Sequence, residues 1–287
     1  MKQYSLDMVD IPGGETIAYR KAGRGEKTVL LIHGNMSSSV HWQTTMENLE
    51  NDYTIYAPDL RGFGDSSYNA PFDTLKDLAD DISEFVDIIG LGKFTVIGWS
   101  GGGGVALELA AKHPELVEKV ITIASVPVTG YPMYKKDPQG APILTEPLKT
   151  KDDVAADPVQ VAPVLAAFAD NNREMLRTIW NAAIYNMNRP SPEDYEIYLD
   201  AIMKERCLVD VCYALLHFDM TSRLDEIKCP IVMLQGEKDL VVPLAWAQKS
   251  HEDMRGKARL ASFENWGHSP ATDDLSGFFK ALRQELL

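Results

Sequence analysis

The 287-residue sequence has little positive charge, few cysteines and no long apolar run. Lys and Arg number 28 against 42 Asp and Glu, which gives a formal net charge of -14. Binding to nucleic acid or to an anionic membrane needs basic residues clustered on one face, so we expect neither partner. The three cysteines form no CxxC pair and are odd in number, which argues against a disulfide framework or a zinc site.

No stretch approaches the roughly 18 consecutive apolar residues that a membrane helix requires. Residues 1–10, MKQYSLDMVD, also lack the apolar core of a signal peptide. We therefore expect a cytoplasmic protein with reduced thiols, no metal ion and no other cofactor. The length allows one large α/β domain or two smaller ones, and the sequence leaves open whether the protein is a monomer or a homodimer.

The most informative stretch covers residues 94–113 and reads FTVIGWSGGGGVALELAAKH. A short apolar run with β-branched residues is followed by apolar residues at helical spacing, and Pro114 ends the pattern. The stretch therefore predicts a strand, a tight turn and a helix. The turn, Gly98-Trp99-Ser100-Gly101-Gly102, matches the G-x-S-x-G nucleophile elbow, where glycines are needed because a Cβ would collide with the adjoining strand or helix.

The same glycines allow other interpretations. Gly101, Gly103 and Ala106 satisfy the dinucleotide-binding pattern G-x-G-x-x-A. That pattern expects an acidic residue about twenty positions later to bind the ribose, whereas residues 124–127 read ASVP. No Lys-Ser or Lys-Thr follows the glycines, so a phosphate-binding loop is not supported either. A glycine-rich loop that lets a helix pack closely on a sheet remains the alternative for the motif alone.

Strands and helices alternate on both sides of this motif. A hairpin is predicted at 4–19, and further strands at 28–32, 54–57, 94–97, 119–124, 230–235 and 258–263. Such alternation specifies a mostly parallel, twisted sheet with helices on both faces. His33-Gly34-Asn35, Asp59 and Ser100 all follow strands, at the sheet edge where ligands bind in this class of fold.

The pattern changes between Gly130 and Thr221, where it predicts helices only. Aromatic residues and methionines are scattered through this stretch. We interpret residues 130–221 as an inserted helical cap, and residues 1–129 with 222–287 as the core domain. Most of these aromatic and methionine side chains would form the core of the cap, and the remainder would line a pocket between cap and sheet.

From near residue 15 to its end, the sequence resembles the α/β-hydrolase superfamily. Ser100 in the elbow, Asp239 after one late strand and His268 after the next follow the superfamily's order of nucleophile, acid and histidine. A serine hydroxyl is a weak nucleophile near neutral pH, so the resemblance implies that His268 takes its proton and that Asp239 orients the imidazole. Asp219 is the alternative acid.

The resemblance also implies an oxyanion hole for the tetrahedral intermediate. Its donors would be the backbone N–H of Gly101, just after the nucleophile, and that of Asn35 in the HGN loop, with Met36 as the alternative to Asn35. Trp99 and Met36 are the expected substrate contacts.

Within the superfamily, the sequence is similar to small cytoplasmic carboxylesterases and lactonases, including acyl-homoserine lactone lactonases with an HGN loop and a GWS elbow. The loop from His33 to Trp42 is also similar to that of haloalkane dehalogenases. Those enzymes use an aspartate nucleophile, whereas this sequence has Ser100, and it has Gly101 where they carry a halide-binding tryptophan.

The resemblance thus implies a metal-independent serine esterase or lactonase that acts on a small-molecule substrate with a small to medium apolar acyl part. One alternative is a carbon–carbon bond hydrolase of meta-cleavage-type products, which a cation in the pocket would favour. The other is a ligand receptor with a hydrolase fold and negligible turnover.

Overall fold

Eight strands form one sheet at the centre of the computed structural model, which describes residues 1–287. In chain order they are β1 (Leu6–Asp10), β2 (Thr16–Ala22), β3 (Lys27–Ile32), β4 (Tyr53–Pro58), β5 (Phe94–Trp99), β6 (Val117–Ile123), β9 (Ile231–Gly236) and β10 (Ala258–Phe263), while β7 (Tyr134–Lys136) and β8 (Pro142–Pro147) form a separate pair. The order across the sheet is β1-β2-β4-β3-β5-β6-β9-β10. Only the β1–β2 and β2–β4 pairs are antiparallel, which confirms the mostly parallel sheet predicted from the sequence.

Strand β3 shows why its apolar run is continuous. Leu30 and Ile32 face one hydrophobic core, whereas Val29 and Leu31 face another on the opposite side of the sheet. All four side chains are buried, because successive residues of a strand point to opposite faces and both faces are covered.

Helices cover both faces of the sheet. Around the sheet they are α1 (Gln43–Leu49), α2 (Leu75–Ile88), α3 (Gly101–Lys112), α9 (Leu244–Asp253), α10 (Pro270–Asp273) and α11 (Leu275–Leu286). Apolar residues of α2, α3 and α9 pack in the core that contains Leu30, and those of α1 and α11 pack in the core that contains Leu31. Two short 3₁₀ helices, Ser39–Trp42 and Leu224–Glu226, complete this part of the chain.

Between β6 and β9 the chain leaves the sheet. This stretch contains the β7–β8 hairpin and then α4 (Lys151–Ala155), α5 (Ala162–Ala169), α6 (Arg173–Ala183), α7 (Pro192–Ile202) and α8 (Leu208–Leu216). The prediction that it holds helices only is wrong for the hairpin. Five of the six residues of β8 are exposed, so the hairpin buries too little to require an alternation of apolar and polar residues.

Glycines let the start of α3 lie directly against the sheet. A Cβ on Gly98 would overlap the carbonyl oxygen of Gly102, and a Cβ on Gly102 would overlap the carbonyl oxygens of Ile32 and His33. A Cβ on Gly101 meets nothing closer than the Leu215 side chain at 3.3 Å. At positions 98 and 102 the opposing atoms belong to the backbone, whereas a Cβ on Gly103 or Gly104 would overlap side chains, those of Ser125 and Leu75.

This difference predicts opposite tolerance at two adjacent positions. Gly102→Ala is expected to lower the free energy of unfolding by about 1–3 kcal/mol, since overpacking against backbone atoms forces the helix away from the sheet. Gly101→Ala is expected to change it by less than about 1 kcal/mol, because the Leu215 side chain can move. Equilibrium unfolding in urea measures both, and equal destabilisation of the two variants would contradict the packing argument.

Candidate active site

Ser100 occupies the sharp turn between β5 and α3. Its backbone angles, φ 54° and ψ -123°, lie in a region that residues other than glycine rarely adopt. The serine N–H donates to the carbonyl oxygen of Ile123 at 2.9 Å, and its own carbonyl accepts from the N–H groups of Gly103 and Val126 at 3.0 and 3.2 Å. These contacts with the neighbouring strand and helix hold the strained conformation in place.

The loop after β3 approaches the serine closely. A Cβ on Gly34 would lie 2.8 Å from Ser100 Cβ, so only glycine fits there. His33 fixes the loop, because its Nδ1 donates to the Gly34 carbonyl at 2.8 Å and its Nε2 accepts the N–H of Leu60 at 2.9 Å. Burial lowers the pKa of His33, which keeps the ring in the neutral form that these two bonds require.

The next two residues of this loop lie beside the start of α3. The backbone nitrogen of Asn35 is 3.8 Å from the point that a Cβ on Gly101 would occupy. Met36 has a positive φ of 52°, and its N–H donates to Asn35 Oδ1 at 2.9 Å. The amide nitrogen Nδ2 of Asn35 contacts Cys212 Sγ at 3.7 Å. The Met36 N–H is therefore engaged within the loop.

His268 and Asp239 are in direct contact. The ring nitrogen Nδ1 of His268 lies 2.9 Å from Asp239 Oδ2 and 3.1 Å from Oδ1, and both residues are buried. The carboxylate also accepts the N–H groups of Val241 and Val242 at 2.8 and 2.9 Å and the amide of Gln235 at 3.1 Å. These donors fix the position of the carboxylate, and the carboxylate in turn orients the imidazole.

The backbone around His268 is also fixed from two sides. The indole N–H of Trp99 donates to the His268 carbonyl at 2.8 Å. On the other side, Asp273 Oδ2 accepts the N–H of Gly267 at 2.7 Å. Sequence reasoning missed Asp273, because it lies in a four-residue helix that carries no periodic pattern.

Ser100 and His268 both line one cavity of about 450 Å³. Seventeen of its 22 lining residues are hydrophobic, and none is Lys, Arg, Asp or Glu. Trp99 and Met36, the substrate contacts expected from the sequence, are among them. Residues between 130 and 221 supply 12 of the 22, including Tyr131, Gln160, Trp180 and Ala183. Periodicity could not identify these, since it does not dock helices against a sheet.

The structure bears on three further expectations. The alternative acid, Asp219, is exposed and its carboxylate accepts the N–H of Thr221 at 2.8 Å. No group of three or more His, Cys, Asp or Glu residues is arranged to hold a metal ion. None of the helices combines the length and the apolar character needed to cross a bilayer.

Comparison with known proteins identifies the family of this chain. Residues 27–274 match the sequence family described as alpha/beta hydrolase fold. A pimeloyl-[acyl-carrier protein] methyl ester esterase of Aliivibrio fischeri is 27% identical over 273 residues, which cover 93% of this chain and 96% of that protein.

Solved structures of two esterases share the fold. The one from Exiguobacterium antarcticum has a TM-score of 0.73 at 22% identity and covers 97% of this chain and 98% of its own. The one from Rhodococcus sp. has a TM-score of 0.73 at 21% identity and covers 98% of both chains. With a family match over most of its length and the same fold in these structures, the chain belongs to the α/β-hydrolase fold family.

Proposed function

We propose that this protein is a serine hydrolase that cleaves a carboxylic ester or a lactone with a small to medium apolar acyl part. One observation carries the proposal. Ser100, held at a strained turn, and His268, whose Nδ1 contacts the buried Asp239 at 2.9 Å, line the same apolar cavity. A nucleophile, a base and a group that orients the base are the requirements of acyl transfer through a covalent intermediate.

The proposed reaction has two halves. In the first, Ser100 Oγ attacks the substrate carbonyl carbon while His268 Nε2 takes its proton, and the tetrahedral intermediate expels the alcohol as His268 returns that proton to the leaving oxygen. In the second, His268 takes a proton from water, the resulting hydroxide attacks the acyl-enzyme, and the acid leaves as Ser100 regains its proton. Asp239 stabilises the imidazolium that forms in each half.

The negative oxygen of each intermediate needs donors aimed at it. We assign this role to the backbone N–H groups of Gly101 and Asn35, which lie on adjoining segments beside Ser100. Met36 is the weaker candidate, because its N–H already donates to Asn35 Oδ1 at 2.9 Å.

The substrate class follows from the cavity. We propose that residues 130–221 act as a cap, since they supply 12 of the 22 residues around the cavity. A lining without ionic side chains suits an apolar acyl group. Hydrolysis of a carbon–carbon bond in a meta-cleavage product gains no support, because the carboxylate of such a substrate would have no Lys or Arg to pair with in this cavity.

The proposal is tested first at Ser100. Wild-type protein is expected to take up one fluorophosphonate per chain, because an activated serine attacks phosphorus as it attacks a carbonyl. The Ser100→Ala variant is expected to remain unlabelled and to lose ester hydrolysis by several orders of magnitude, on the order of 10⁶-fold by comparison with other serine hydrolases. Intact-mass spectrometry and an ester and lactone panel provide the readouts.

Two other outcomes of this experiment would change the assignment. Labelling of Ser100→Ala to the same extent would exclude Ser100 as the nucleophile. Stoichiometric labelling with negligible turnover on every substrate would favour the receptor alternative.

A second test separates the two candidate acids. Asp239→Asn is expected to lower kcat by about 10⁴-fold, since an amide at this position selects the wrong tautomer of His268. Asp219→Asn serves as the matched control and is expected to leave kcat unchanged, because its carboxylate is exposed and bonds locally to Thr221. The reverse order of the two effects, measured with one soluble ester, would show that Asp219 is the acid.

A third test addresses the acyl part of the substrate. Ala183 ends α6 and lines the cavity. Its replacement by Phe is expected to lower kcat/KM for octanoyl esters by about tenfold or more, because methylene-sized changes in an apolar pocket are worth about 1–3 kcal/mol. Acetyl esters of the same alcohol are expected to change by less than about threefold. Equal losses for both esters would mean that the acyl group does not occupy this part of the cavity.

A further inference from the structure

Glu205 is a buried carboxyl group without a hydrogen-bonding partner. The residue is only 6% exposed, and neither of its side-chain oxygens accepts a hydrogen bond. It is the only acidic residue with buried, unpartnered oxygens. Ionisation of this carboxyl group would cost free energy, because no hydrogen-bond donor replaces the water that is lost on burial.

Cations are present next to Glu205 in the sequence but bind elsewhere. The Lys204 ammonium contacts the two Asp65 oxygens at 2.7 and 2.9 Å, and the Arg206 guanidinium donates to the carbonyl oxygen of Ser66. The Arg206 N–H also donates to the Gly62 carbonyl at 2.9 Å. The turn between α7 and α8 is thereby anchored to the loop after β4, and Glu205 is left inside.

Glu205 lies beside the loop that carries Asn35, one of the two assigned oxyanion donors. The backbone N–H of Met36 faces its carboxyl group, and the thiol of Cys212 lies close enough to feel its charge. Cys212 in turn contacts the Asn35 amide at 3.7 Å, and Asn35 Oδ1 holds the Met36 N–H at 2.9 Å. Glu205 therefore adjoins the loop that contains the assigned oxyanion donor.

The loop that carries Asn35 and Met36 has a strained backbone that neighbouring groups must hold in place. Met36 has a φ of 52°, which is unfavourable for a residue with a Cβ and persists only where neighbouring groups enforce it. Asn35 supplies one such contact through its side chain, and the Glu205 carboxyl faces the N–H of the same residue, Met36. A shift at Met36 would move the N–H of the preceding residue, Asn35.

We propose that Glu205 is a positioning residue for the oxyanion loop and that it acts as a neutral carboxylic acid. As a neutral group it packs against the Met36 turn and leaves the Met36 N–H to Asn35. As a carboxylate it would compete for that N–H and place a negative charge beside the developing oxyanion. The inference rests on the proposed function, because it requires an oxyanion bound by Asn35 and Gly101.

No neighbouring cation would offset the negative charge of an ionised Glu205. The titratable groups that interact with the carboxyl are the thiols of Cys207, just before α8, and Cys212 on α8; Asp210 lies close to Cys207, and the neighbours Lys204 and Arg206 bind elsewhere. Both thiols are neutral, since burial raises their pKa. Asp210 is paired with Lys151 at 2.7 Å. In agreement, burial raises the pKa of Glu205 to about 8, opposed only by the N–H of Met36.

The test compares kcat and KM between pH 6 and pH 10 for the wild type and Glu205→Gln, with one soluble ester. Wild-type kcat is expected to fall about tenfold between pH 7 and pH 9, as one group with a pKa of about 8 loses its proton. Glu205→Gln, which cannot ionise, is expected to match the wild type at pH 7 and to keep its kcat within about twofold up to pH 9. KM is expected to change little, since the oxyanion forms only during the reaction.

Glu108→Gln is the matched control. Glu108 is also buried and burial raises its pKa, but it lies on α3 and pairs with Arg223. This variant is expected to keep the alkaline fall of the wild type. If Glu205→Gln shows the same fall as the wild type, or if Glu108→Gln abolishes it, Glu205 does not position the loop.

Thermal unfolding tests the neutral state without any activity. The pKa of Glu205 in the folded protein lies above that of an unfolded glutamate, so the wild type loses stability as pH rises from about 4.5 to 8. Glutamine does not titrate, so Tm of Glu205→Gln minus Tm of the wild type is expected to increase from pH 5 to pH 8. A constant difference would show that Glu205 ionises normally and would overturn the inference.

Fluorophosphonate labelling separates the two proposals. If the wild type labels at Ser100 and only the Glu205→Gln results fail, the proposed function stands and the role of Glu205 falls. If Ser100 does not label in the folded protein, the proposed function falls, and the positioning role falls with it.

Discussion

The backbone conformation of Ser100 is the constraint on which the site depends. A residue with φ 54° and ψ -123° reverses the chain within one step, so α3 must begin directly behind the end of β5. Only glycine fits where the helix then meets the carbonyl oxygens at the end of β3, as it does at Gly102. The same geometry makes Gly101 the first residue of α3, with an N–H that no carbonyl within the helix can accept. One strained residue therefore presents both a hydroxyl group and a free donor to the cavity.

Much of the core could be predicted from the sequence because its strands are buried on both faces. That burial demands a continuous apolar run such as the one in β3, which is a strong local signal. The proximity of Asp239 and His268 has a topological reason. Strands β9 and β10 are parallel neighbours, so the loops at their carboxyl ends adjoin each other. The resemblance identified the two residues, and the order of the strands explains why His268 Nδ1 lies 2.9 Å from Asp239 Oδ2.

Features that depend on packing between distant segments could not be predicted in this way. The β7–β8 hairpin is mostly exposed, so its residues carry no pattern. The cavity takes its walls from several helices whose docking no periodicity encodes. In the sequence, Glu205 between Lys204 and Arg206 is typical of an exposed, ion-paired turn. In the structure, both cations bind the loop after β4 and the side chain of Glu205 is buried. No local pattern in the sequence indicates this arrangement.

The distribution of charge connects the catalytic proposal with the role assigned to Glu205. The chain carries a formal net charge of -14, yet no Asp, Glu, Lys or Arg lines the cavity. In such surroundings, interactions with a developing oxyanion are stronger than in water, because little solvent screens them. In the proposed mechanism, the backbone N–H groups of Gly101 and Asn35 act on the oxyanion in these surroundings. Because screening is weak, an unpaired negative charge nearby would destabilise the oxyanion just as strongly. The Glu205 carboxyl beside the oxyanion loop is therefore compatible with the proposed catalysis only while it is protonated.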